Sequence, residues 1–214
     1  MRARERGRFS VLRWVGAAGS CLTAFAGIGG GALPVVENPW QNFPFGAEMG
    51  RMMLTANALV LIGVGVLVAA WLALAPFVGA SPGAARGARV SNPEMLRTFI
   101  AWVIPLLVTA PLFTQDIYSY LANGSIVRQG LDPYSSGPVE LLGVEHHLAR
   151  SVPFIWAHSP SPYGPVALGT AAVISHITGD SIFWGVLAHR AVSVAGILAA
   201  AWAVLALAKR CGVT

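Results

Sequence analysis

One carboxylate, Asp116, stands where an apolar stretch of 18 residues, Thr98 to Gln115, ends. If that stretch crosses a membrane, Asp116 lies at the membrane surface and loses part of its hydration. A partly dehydrated carboxylate is a stronger base than one in water, so it can accept a proton from a hydroxyl group during catalysis. The alternative is a solvated aspartate that only marks the end of a helix, and position alone favours this alternative.

Three further acids follow Asp116 in the segment 116–162. Asp132 lies in the sequence GLDPY, and an aspartate before proline typically caps a turn. Glu140 and Glu145 suit a solvated surface as well as they suit a metal site. These acids therefore add no catalytic assignment by themselves.

We expect no metal site in this chain. His146 and His147 are adjacent, and on a helix adjacent side chains point about 100° apart, so they are poorly placed to share one ion. The two cysteines, Cys21 and Cys211, form neither a zinc quartet nor a disulfide framework. No cofactor is predicted.

Three arginines could hold an anion, because a guanidinium offers forked donors to phosphate oxygens. Arg128 and Arg150 lie in the segment 116–162, where lipid headgroups or a nearby carboxylate are the alternative partners. Arg190 lies about nine residues into an apolar stretch, which makes it a functional candidate. The alternative, which we favour slightly, is that the last membrane span begins near Ala191 and Arg190 reaches the cytoplasmic headgroups.

The composition identifies a membrane protein. Charged residues make up 11% of the 214 residues and hydrophobic residues 55%, with a mean hydropathy of +0.64. Soluble domains carry roughly 25% charged residues, so a water-soluble globule is excluded. The net charge of +5 comes from cations that stand singly or at the ends of apolar runs. Nucleic-acid binding needs a dense basic surface, and that class is set aside as well.

Charge-free stretches predict an all-α membrane protein with about five transmembrane helices, since a span needs about 17 to 25 apolar residues. The predicted spans are 14–36, 53–79, 98–115, 163–178 and 181–208. Between and around them lie a basic tail (1–13), a loop (80–97), a long loop (116–162) and a short end (209–214).

Arginine and lysine near the spans predict the orientation in the cytoplasmic membrane. The tail 1–13 carries five arginines and the loop 80–97 carries three, so both are assigned to the cytoplasm and the loop 116–162 to the outside. Lys209 and Arg210 then fall outside, against the rule. They move to the cytoplasm if the fourth span only dips into the membrane.

The loop 116–162 has 47 residues, and connections of that length tend to be functional. Its first residues predict a short helix along the membrane surface, with Tyr118 and Tyr120 at the interface. Gly130 and the pair Asp132-Pro133 are expected to end this helix. The residues expected on its one apolar face are Ile117, Tyr120, Leu121 and Val127.

Several motifs in one order resemble a known family. They are GALPVVENP, PLFTQDIYSYLANGSIVRQGLDPY, SVPFIW, PSPYGPVALG, GDSIFWGVLAHRAV and KRCGV. This pattern resembles the actinobacterial polyprenol-phosphomannose-dependent α-1,6-mannopyranosyltransferases, which build lipomannan-type glycans of the cell envelope. These enzymes belong to the GT-C superfamily of multi-spanning glycosyltransferases.

The resemblance implies transfer of mannose from polyprenyl-phosphomannose to an α-1,6-mannan or lipomannan acceptor outside the membrane. In such enzymes an acidic residue at the head of an extracytoplasmic loop is the catalytic carboxylate, and here that residue is Asp116. The resemblance therefore implies that Asp116 is the general base and that the configuration at the anomeric carbon inverts. The candidate substrate-binding residues are Tyr118, Tyr120, Arg128, Asp132, Tyr134, Arg150 and Tyr163. Gly130, Asp132, Pro133 and Tyr134 form the shaped turn of the same loop.

The sequence departs from the family pattern in three ways. Many relatives pair two acids at the loop head, whereas Gln115 precedes Asp116 here, which argues against a bound divalent cation. Some relatives carry a lysine near the fourth span, where this chain reads SPYGP. Family members are also much longer, so we expect an N-terminal third that lacks part of the lipid groove and the acceptor site.

A non-enzymatic alternative remains open from the sequence. Spans one and two contain mainly small and aliphatic residues, which suit close helix packing in a scaffold or in one subunit of an envelope complex. Ser20, Cys21 and Thr23 add weak polar groups in span one.

Overall fold

The computed structural model describes residues 3–78 and 90–212. Within these residues the chain forms ten α-helices and two short 3-10 helices, with no strand, which confirms the predicted all-α class. The α-helices are α1 (Ala3–Gly30), α2 (Gly46–Arg51), α3 (Met53–Leu74), α4 (Asn92–Val108), α5 (Asp116–Arg128), α6 (Pro138–Leu142), α7 (His147–Ser151), α8 (Phe154–Ala157), α9 (Pro165–Thr178) and α10 (Ile182–Arg210). The 3-10 helices are Pro39–Asn42 and Ala75–Phe77.

The helices form two compact units. The first contains Met1–Leu33 and Asn38–Thr114, and the second contains Pro34–Glu37 and Gln115–Thr214. The first unit therefore holds α1 to α4, and the second holds α5 to α10 with the whole segment that follows Gln115.

Three helices among the described residues are long and apolar enough to cross a membrane: Arg4–Gly30, Met53–Phe77 and Ile182–Arg210. They coincide with the predicted first, second and fifth spans. The predicted fourth span corresponds to α9, a shorter apolar helix of 14 residues. The predicted third span corresponds to α4, which has 17 residues and contains Pro105. The number of spans stays a prediction.

The bounds of α1 and α4 differ from the sequence prediction. The basic tail 1–13 is helical from Ala3, so α1 begins earlier than expected and ends at Gly30 rather than Val36. α4 ends at Val108, and the rest of the predicted third span to Gln115 is not helical. Pro111 explains this end, because proline has no N–H for a helical hydrogen bond and disfavours the helical conformation of the residue before it. The predicted loop 80–97 lies mostly outside the described residues, and its last part belongs to α4.

Small residues bring the helices of the first unit close together. A Cβ atom on Gly19 of α1 would stand 2.9 Å from the carbonyl oxygen of Gly63 in α3, so the backbones touch there. Two side-chain hydrogen bonds join α4 to α1. The Trp102 indole donates to the Arg13 carbonyl oxygen at 2.8 Å, and the Thr109 hydroxyl donates to the Ala24 carbonyl oxygen at 2.7 Å. These are the devices that membrane helices use in place of a hydrophobic driving force.

In the second unit α5 is the central helix. Gly124 of α5 lies directly against the backbone of Ala171 in α9, and Gly185 of α10 lies against the Leu121 side chain. As a result, α5 is buried on nearly all sides from Tyr118 to Ile126. The expected single apolar face is therefore wrong, because Ile117 and Val127 are only half-buried. Small residues let neighbouring helices approach, which hydrophobic spacing alone does not reveal.

The turn after α5 forms as predicted. Gly130 has a φ of +75°, and Leu131 N–H donates to the Ile126 carbonyl oxygen at 3.1 Å while Gly130 N–H donates to that of Val127 at 3.0 Å. This is the Schellman pattern, in which a left-handed glycine satisfies the last carbonyl groups of a helix. The chain is thereby directed away from α5 and into the Asp132-Pro133 turn.

A second turn separates α9 from α10. Gly179 ends α9 in the left-handed region with a φ of +58°, and Asp180 follows with a φ of +63°. The Ser181 side chain then accepts from the Trp184 amide and caps α10. Two successive left-handed residues make a sharp reversal, so the first turns of α10 run back along α5.

Candidate functional site

Asp116 is the first residue of α5 and is half-buried. It shares one helix face with Ser119 and Asn123, at the i, i+3, i+7 spacing. These three residues line one wall of a cavity of about 100 Å³. The other wall is formed by Trp156, Ser159, Pro160, Ser161, Pro162 and Tyr163.

Tyr163 lines this cavity, and Tyr120 packs against Tyr163. The rings of Tyr120 and Tyr163 meet edge to face, with their centroids 4.6 Å apart. Burial raises the pKa of Tyr163 to about 12, and the neighbouring Tyr120 and Asp116 act in the same direction. At physiological pH the Tyr163 phenol is therefore neutral and can donate a hydrogen bond next to Asp116. Of the tyrosines predicted from the sequence, the structure brings these two to the site.

The turn at Asp132 holds the wall that contains Tyr163. The Asp132 carboxylate accepts from the Tyr134 amide at 2.9 Å, which confirms the predicted turn cap. The Tyr134 hydroxyl donates to the Tyr163 carbonyl oxygen at 2.8 Å, and the Ser161 amide donates to the Pro133 carbonyl oxygen at 2.8 Å. Asp132 and Tyr134 thus position the cavity wall from behind, and they do not line the cavity.

Tyr118 lies away from the cavity, in contrast to the prediction that it sits at the membrane interface. Its side chain is fully buried, at 0% exposure. Burial raises the pKa of Tyr118, and the positive charge of nearby Arg190 opposes this shift. The proximity also shows where Arg190 is: it lies within α10, half-buried, beside the first half of α5. Helix α10 begins at Ile182, before Arg190, and the start of its membrane-spanning part near Ala191 stays a prediction.

Arg128 and Arg150 are not brought to Asp116. Arg128 is twelve residues further along α5, or about 18 Å at 1.5 Å per residue. Its guanidinium donates to the Asp180 carboxylate at 2.5 Å and to the Ser175 hydroxyl at 2.9 Å. Arg150 is exposed and lies 4.0 Å from Glu145. The structure therefore separates the predicted anion-binding arginines from the predicted base.

Asp180 is a buried carboxylate that sequence reasoning missed. It is 8% exposed and accepts from Ser125 at 2.8 Å and Ser175 at 2.5 Å, besides Arg128. Burial alone would raise the pKa of Asp180, but the hydrogen bonds from Ser175, Ser125 and Arg128 outweigh burial and lower it. The sequence signal for this site was a single acid between two apolar stretches. Hydropathy alone assigns such an acid to a connection between two spans and does not predict that it is buried.

Helix α7 of the segment 116–162 contacts the backbone of the same residue, Asp180. The His147 Nε2 atom of α7 lies 2.9 Å from the Asp180 carbonyl oxygen, and the rings of His146 and His147 stack with centroids 4.8 Å apart. Elsewhere in the loop, His158 pairs with Glu140 at 2.6 Å and lowers the pKa of that exposed carboxyl. Among the described residues, no three His, Cys, Asp or Glu side chains are grouped to hold a metal ion.

Comparisons with known proteins identify the family of the chain. Residues 13–214 match the family model described as alpha-(1->6)-mannopyranosyltransferase, N-terminal domain. The chain is 58% identical over 209 residues to alpha-(1->6)-mannopyranosyltransferase B of Corynebacterium glutamicum, covering 97% of this chain and 35% of that protein. It is 38% identical over 205 residues to an alpha-(1->6)-mannopyranosyltransferase of Mycobacterium tuberculosis, covering 94% and 33%. No solved structure matches.

The chain thus spans about a third of the length of the curated relatives that it matches. The matched range begins within α1 and extends past α10, so Asp116, Tyr163 and Asp180 all lie inside it. Family membership favours an enzyme over the non-enzymatic scaffold that the sequence left open. The chain belongs to the alpha-(1->6)-mannopyranosyltransferase family, and what it contains is the N-terminal domain of that family.

Proposed function

We propose that the protein transfers mannose from polyprenyl-phosphomannose to an α-1,6-mannan or lipomannan acceptor at the outer face of the cytoplasmic membrane. The observation that carries this proposal is the position of Asp116, on the first turn of α5 and in a cavity next to the neutral phenol of Tyr163. The family supplies the reaction class, and the cavity supplies a base with room beside it.

In the proposed reaction Asp116 accepts the proton of the attacking acceptor hydroxyl. The oxygen of that hydroxyl forms a bond to the anomeric carbon of mannose, and the bond from that carbon to the phosphate oxygen breaks. The electron pair stays on the phosphate, which leaves as polyprenyl phosphate, and the anomeric configuration inverts. Because phosphate is already a good leaving group, the site needs a base more than a general acid. Gln115 precedes Asp116, and the proposal contains no metal.

The donor phosphate gains negative charge as it leaves, so a cation beside it would stabilise the transition state. We propose Arg190 for this role in preference to Arg128 and Arg150. Arg190 acts on Tyr118, two residues after Asp116, whereas Arg128 is held by Asp180 at the other end of α5. A guanidinium has five donors, so Arg190 can keep its present contacts and still meet a phosphate.

The second unit also bears on the membrane topology. α9 is 14 residues long, about 21 Å, against roughly 30 Å for the apolar core of a bilayer. Side chains from the loop 116–162 lie at both of its ends, since Tyr134 bonds to Tyr163 before α9 and His147 bonds to Asp180 after it. We therefore propose that α9 stays on the loop side and that the crossings are α1, α3, α4 and α10.

This topology removes the conflict in the charge distribution. With the N-terminal tail in the cytoplasm, four crossings place the loop 116–162 outside and return Lys209 and Arg210 to the cytoplasm, as the positive-inside rule requires. Asp116 and the start of α10 then lie on the outer side together. A lipid-linked donor in the outer leaflet would reach them without crossing the membrane.

The test uses membranes from cells that express the complete reading frame encoding this chain. They are incubated with labelled polyprenyl-phosphomannose and a short α-1,6-mannoside. Asp116→Asn keeps the shape of the side chain but removes the base, and we expect at least a hundredfold loss of product. Glu145→Gln is the matched control, because Glu145 is exposed and outside the cavity. Labelled product at the wild-type rate from Asp116→Asn would overturn the assignment.

A further inference from the structure

We propose that the cavity beside Asp116 is the subsite for the terminal sugar ring of the acceptor, with Ser119, Asn123 and Trp156 as its binding residues. The reaction that this sugar would enter rests on the proposed function. The binding itself can be measured separately. None of these three residues was predicted from the sequence.

The first observation is an unsatisfied hydroxyl. Ser119 is 4% exposed, and its Oγ atom has no hydrogen-bond partner of normal geometry among the described residues. The Tyr163 phenol is close enough that the Ser119 hydroxyl lowers the pKa of that phenol, against the larger effect of burial. Buried hydroxyls without partners are rare in proteins, and one that lines a cavity can be satisfied by water or by a ligand. Because Ser119 lines the cavity, rotation about χ1 can turn its hydroxyl toward a ligand there.

Asn123 adds a fixed polar group one turn further along α5. Its amide nitrogen donates to the Ser119 carbonyl oxygen at 2.8 Å, and the residue is 4% exposed. This bond fixes the orientation of the amide and leaves its oxygen as an acceptor for a ligand hydroxyl. Ser119 and Asn123 therefore offer a donor and an acceptor on the same wall as the Asp116 carboxylate.

The facing wall is suited to the apolar face of a sugar ring. Trp156 of α8 lines the cavity with 44% of its surface exposed, and Pro160 and Pro162 continue the same wall. Ligand sites typically combine apolar walls with a few well-placed polar groups that fix orientation. A pyranose has this character, since its C–H groups can pack on an indole while its hydroxyls bond to the opposite side.

The charge of the lining favours the acceptor over the donor. Among the described residues that line the cavity, Asp116 is the one acidic side chain, and none is a lysine or an arginine. A phosphate placed there would lie against a carboxylate, and repulsion between two anionic groups is costly in a partly dehydrated site. A neutral sugar hydroxyl, by contrast, can donate to Asp116, as the attacking hydroxyl must. The chemical class of the ligand is therefore a neutral mannoside.

The test compares serine-to-alanine variants of the complete gene product. We expect Ser119→Ala to melt close to the wild type, because the hydroxyl that it removes makes no hydrogen bond of normal geometry among the described residues and only adjoins the Tyr163 phenol. The same variant should raise the KM for a short α-1,6-mannoside by about tenfold, the value of one hydrogen bond, and leave the donor KM unchanged. Ser193→Ala, outside the cavity on α10, is the matched control. Trp156→Ala is a second variant with the same expected effect on acceptor KM.

Binding is also measured without turnover, by saturation-transfer NMR of the mannoside with detergent-solubilised protein and no donor present. Loss of the signal in Ser119→Ala and Trp156→Ala supports the subsite, even if the wild type transfers no mannose and the proposed function fails. Transfer with unchanged acceptor KM and unchanged NMR signal in both variants overturns the subsite and leaves the proposed function standing. A rise in the donor KM instead of the acceptor KM also overturns it.

Discussion

The guanidinium of Arg128 and the carboxylate of Asp180 form an ion pair of 2.5 Å that joins the end of α5 to the junction of α9 and α10. Ser125, Ser175 and Gln129 complete the network, with Gln129 donating to Ser125 Oγ at 3.1 Å. The pair lies at the opposite end of α5 from Asp116. Its position identifies it as a structural clamp of the second unit.

The two arginines beside α5 are expected to differ when each is replaced by glutamine. Arg128→Gln should lower the free energy of unfolding by about 2 kcal/mol, less than for a fully buried pair because the Arg128 side chain is 35% exposed. Its donor KM should stay at the wild-type value. Arg190→Gln should raise the donor KM by at least tenfold with little change in acceptor KM, since it removes a charged partner of the phosphate. Kinetics in membranes and melting in detergent separate the two effects.

If Arg128→Gln raises the donor KM while Arg190→Gln does not, the roles assigned to these arginines are reversed. Arg150→Gln is the control for both, because Arg150 is exposed and its partner Glu145 is 4.0 Å away. We expect that variant to be neutral in stability and in kinetics.

Acid should weaken the clamp. The pKa of Asp180 lies below the ordinary aspartate value of 3.8, so the folded state holds the ionised carboxylate more strongly than the unfolded state does. This contribution to stability is fully present above the unfolded pKa and is lost as the pH falls below about 4 through the folded pKa. Melting temperatures measured from pH 6 down to about pH 3 should therefore fall.

Asp180→Asn is the matched variant for the acid experiment. It should melt at a lower temperature than the wild type at pH 6, because Arg128 loses its negatively charged partner. The fall of its melting temperature below about pH 4 should be shallower than that of the wild type. An equally steep decline in wild type and variant would show that other carboxylates dominate acid unfolding.

Two glycines in adjacent helices should respond oppositely to alanine. A methyl group on Gly124 would collide with the Ala171 backbone, so Gly124→Ala has to push α5 away from α9 and should cost about 1 to 3 kcal/mol. At Gly169 in α9, no neighbouring atom lies within 4 Å of the position that an added methyl group would occupy. Gly169→Ala should therefore be neutral or stabilise by up to about 1 kcal/mol, through helix propensity.

Thermal melting of both glycine variants in the same detergent provides the comparison. Activity should follow stability in Gly124→Ala, because α5 carries Asp116 and α9 follows Tyr163. Equal melting temperatures for the two variants would contradict the close approach of the helices.

Cysteine labelling can decide the proposed four-crossing topology. His176 is exposed near the end of α9, and Cys211 is exposed after α10. In a Cys21→Ser background, a membrane-impermeant maleimide should label His176→Cys in intact cells. Cys211 should react only after the membrane is permeabilised. Protection of His176→Cys together with labelling of Cys211 would instead support the five-span arrangement with α9 as a crossing helix.

Local patterns in the sequence predicted a useful part of the site. An apolar stretch followed by Asp116 indicated the start of a helix, and Gly130 with Asp132-Pro133 indicated the turn that ends it, because capping and turn chemistry depend on a few neighbouring residues. Residues 109–115 were predicted as helix and are not, since Pro111 acts against the continuation that hydropathy alone favours.

Contacts between distant residues were beyond the sequence. Hydropathy predicted one buried face on α5, but Gly124, Ala171 and Gly185 allow two helices to pack so closely that almost the whole helix is buried. For the same reason Tyr118 is in the interior, although a tyrosine near a membrane end is usually expected at the interface.

The sequence by itself determined that this is a helical membrane protein, that Asp116 begins a helix after an apolar stretch, and that its family is that of the α-1,6-mannopyranosyltransferases. Composition, local turn chemistry and ordered motifs suffice for these conclusions. Only the tertiary structure decided which groups accompany Asp116. It brought Trp156 and Tyr163 to the helix face that Asp116 shares with Ser119 and Asn123, and it paired Arg128 with Asp180, because contacts between distant residues depend on which helices pack together.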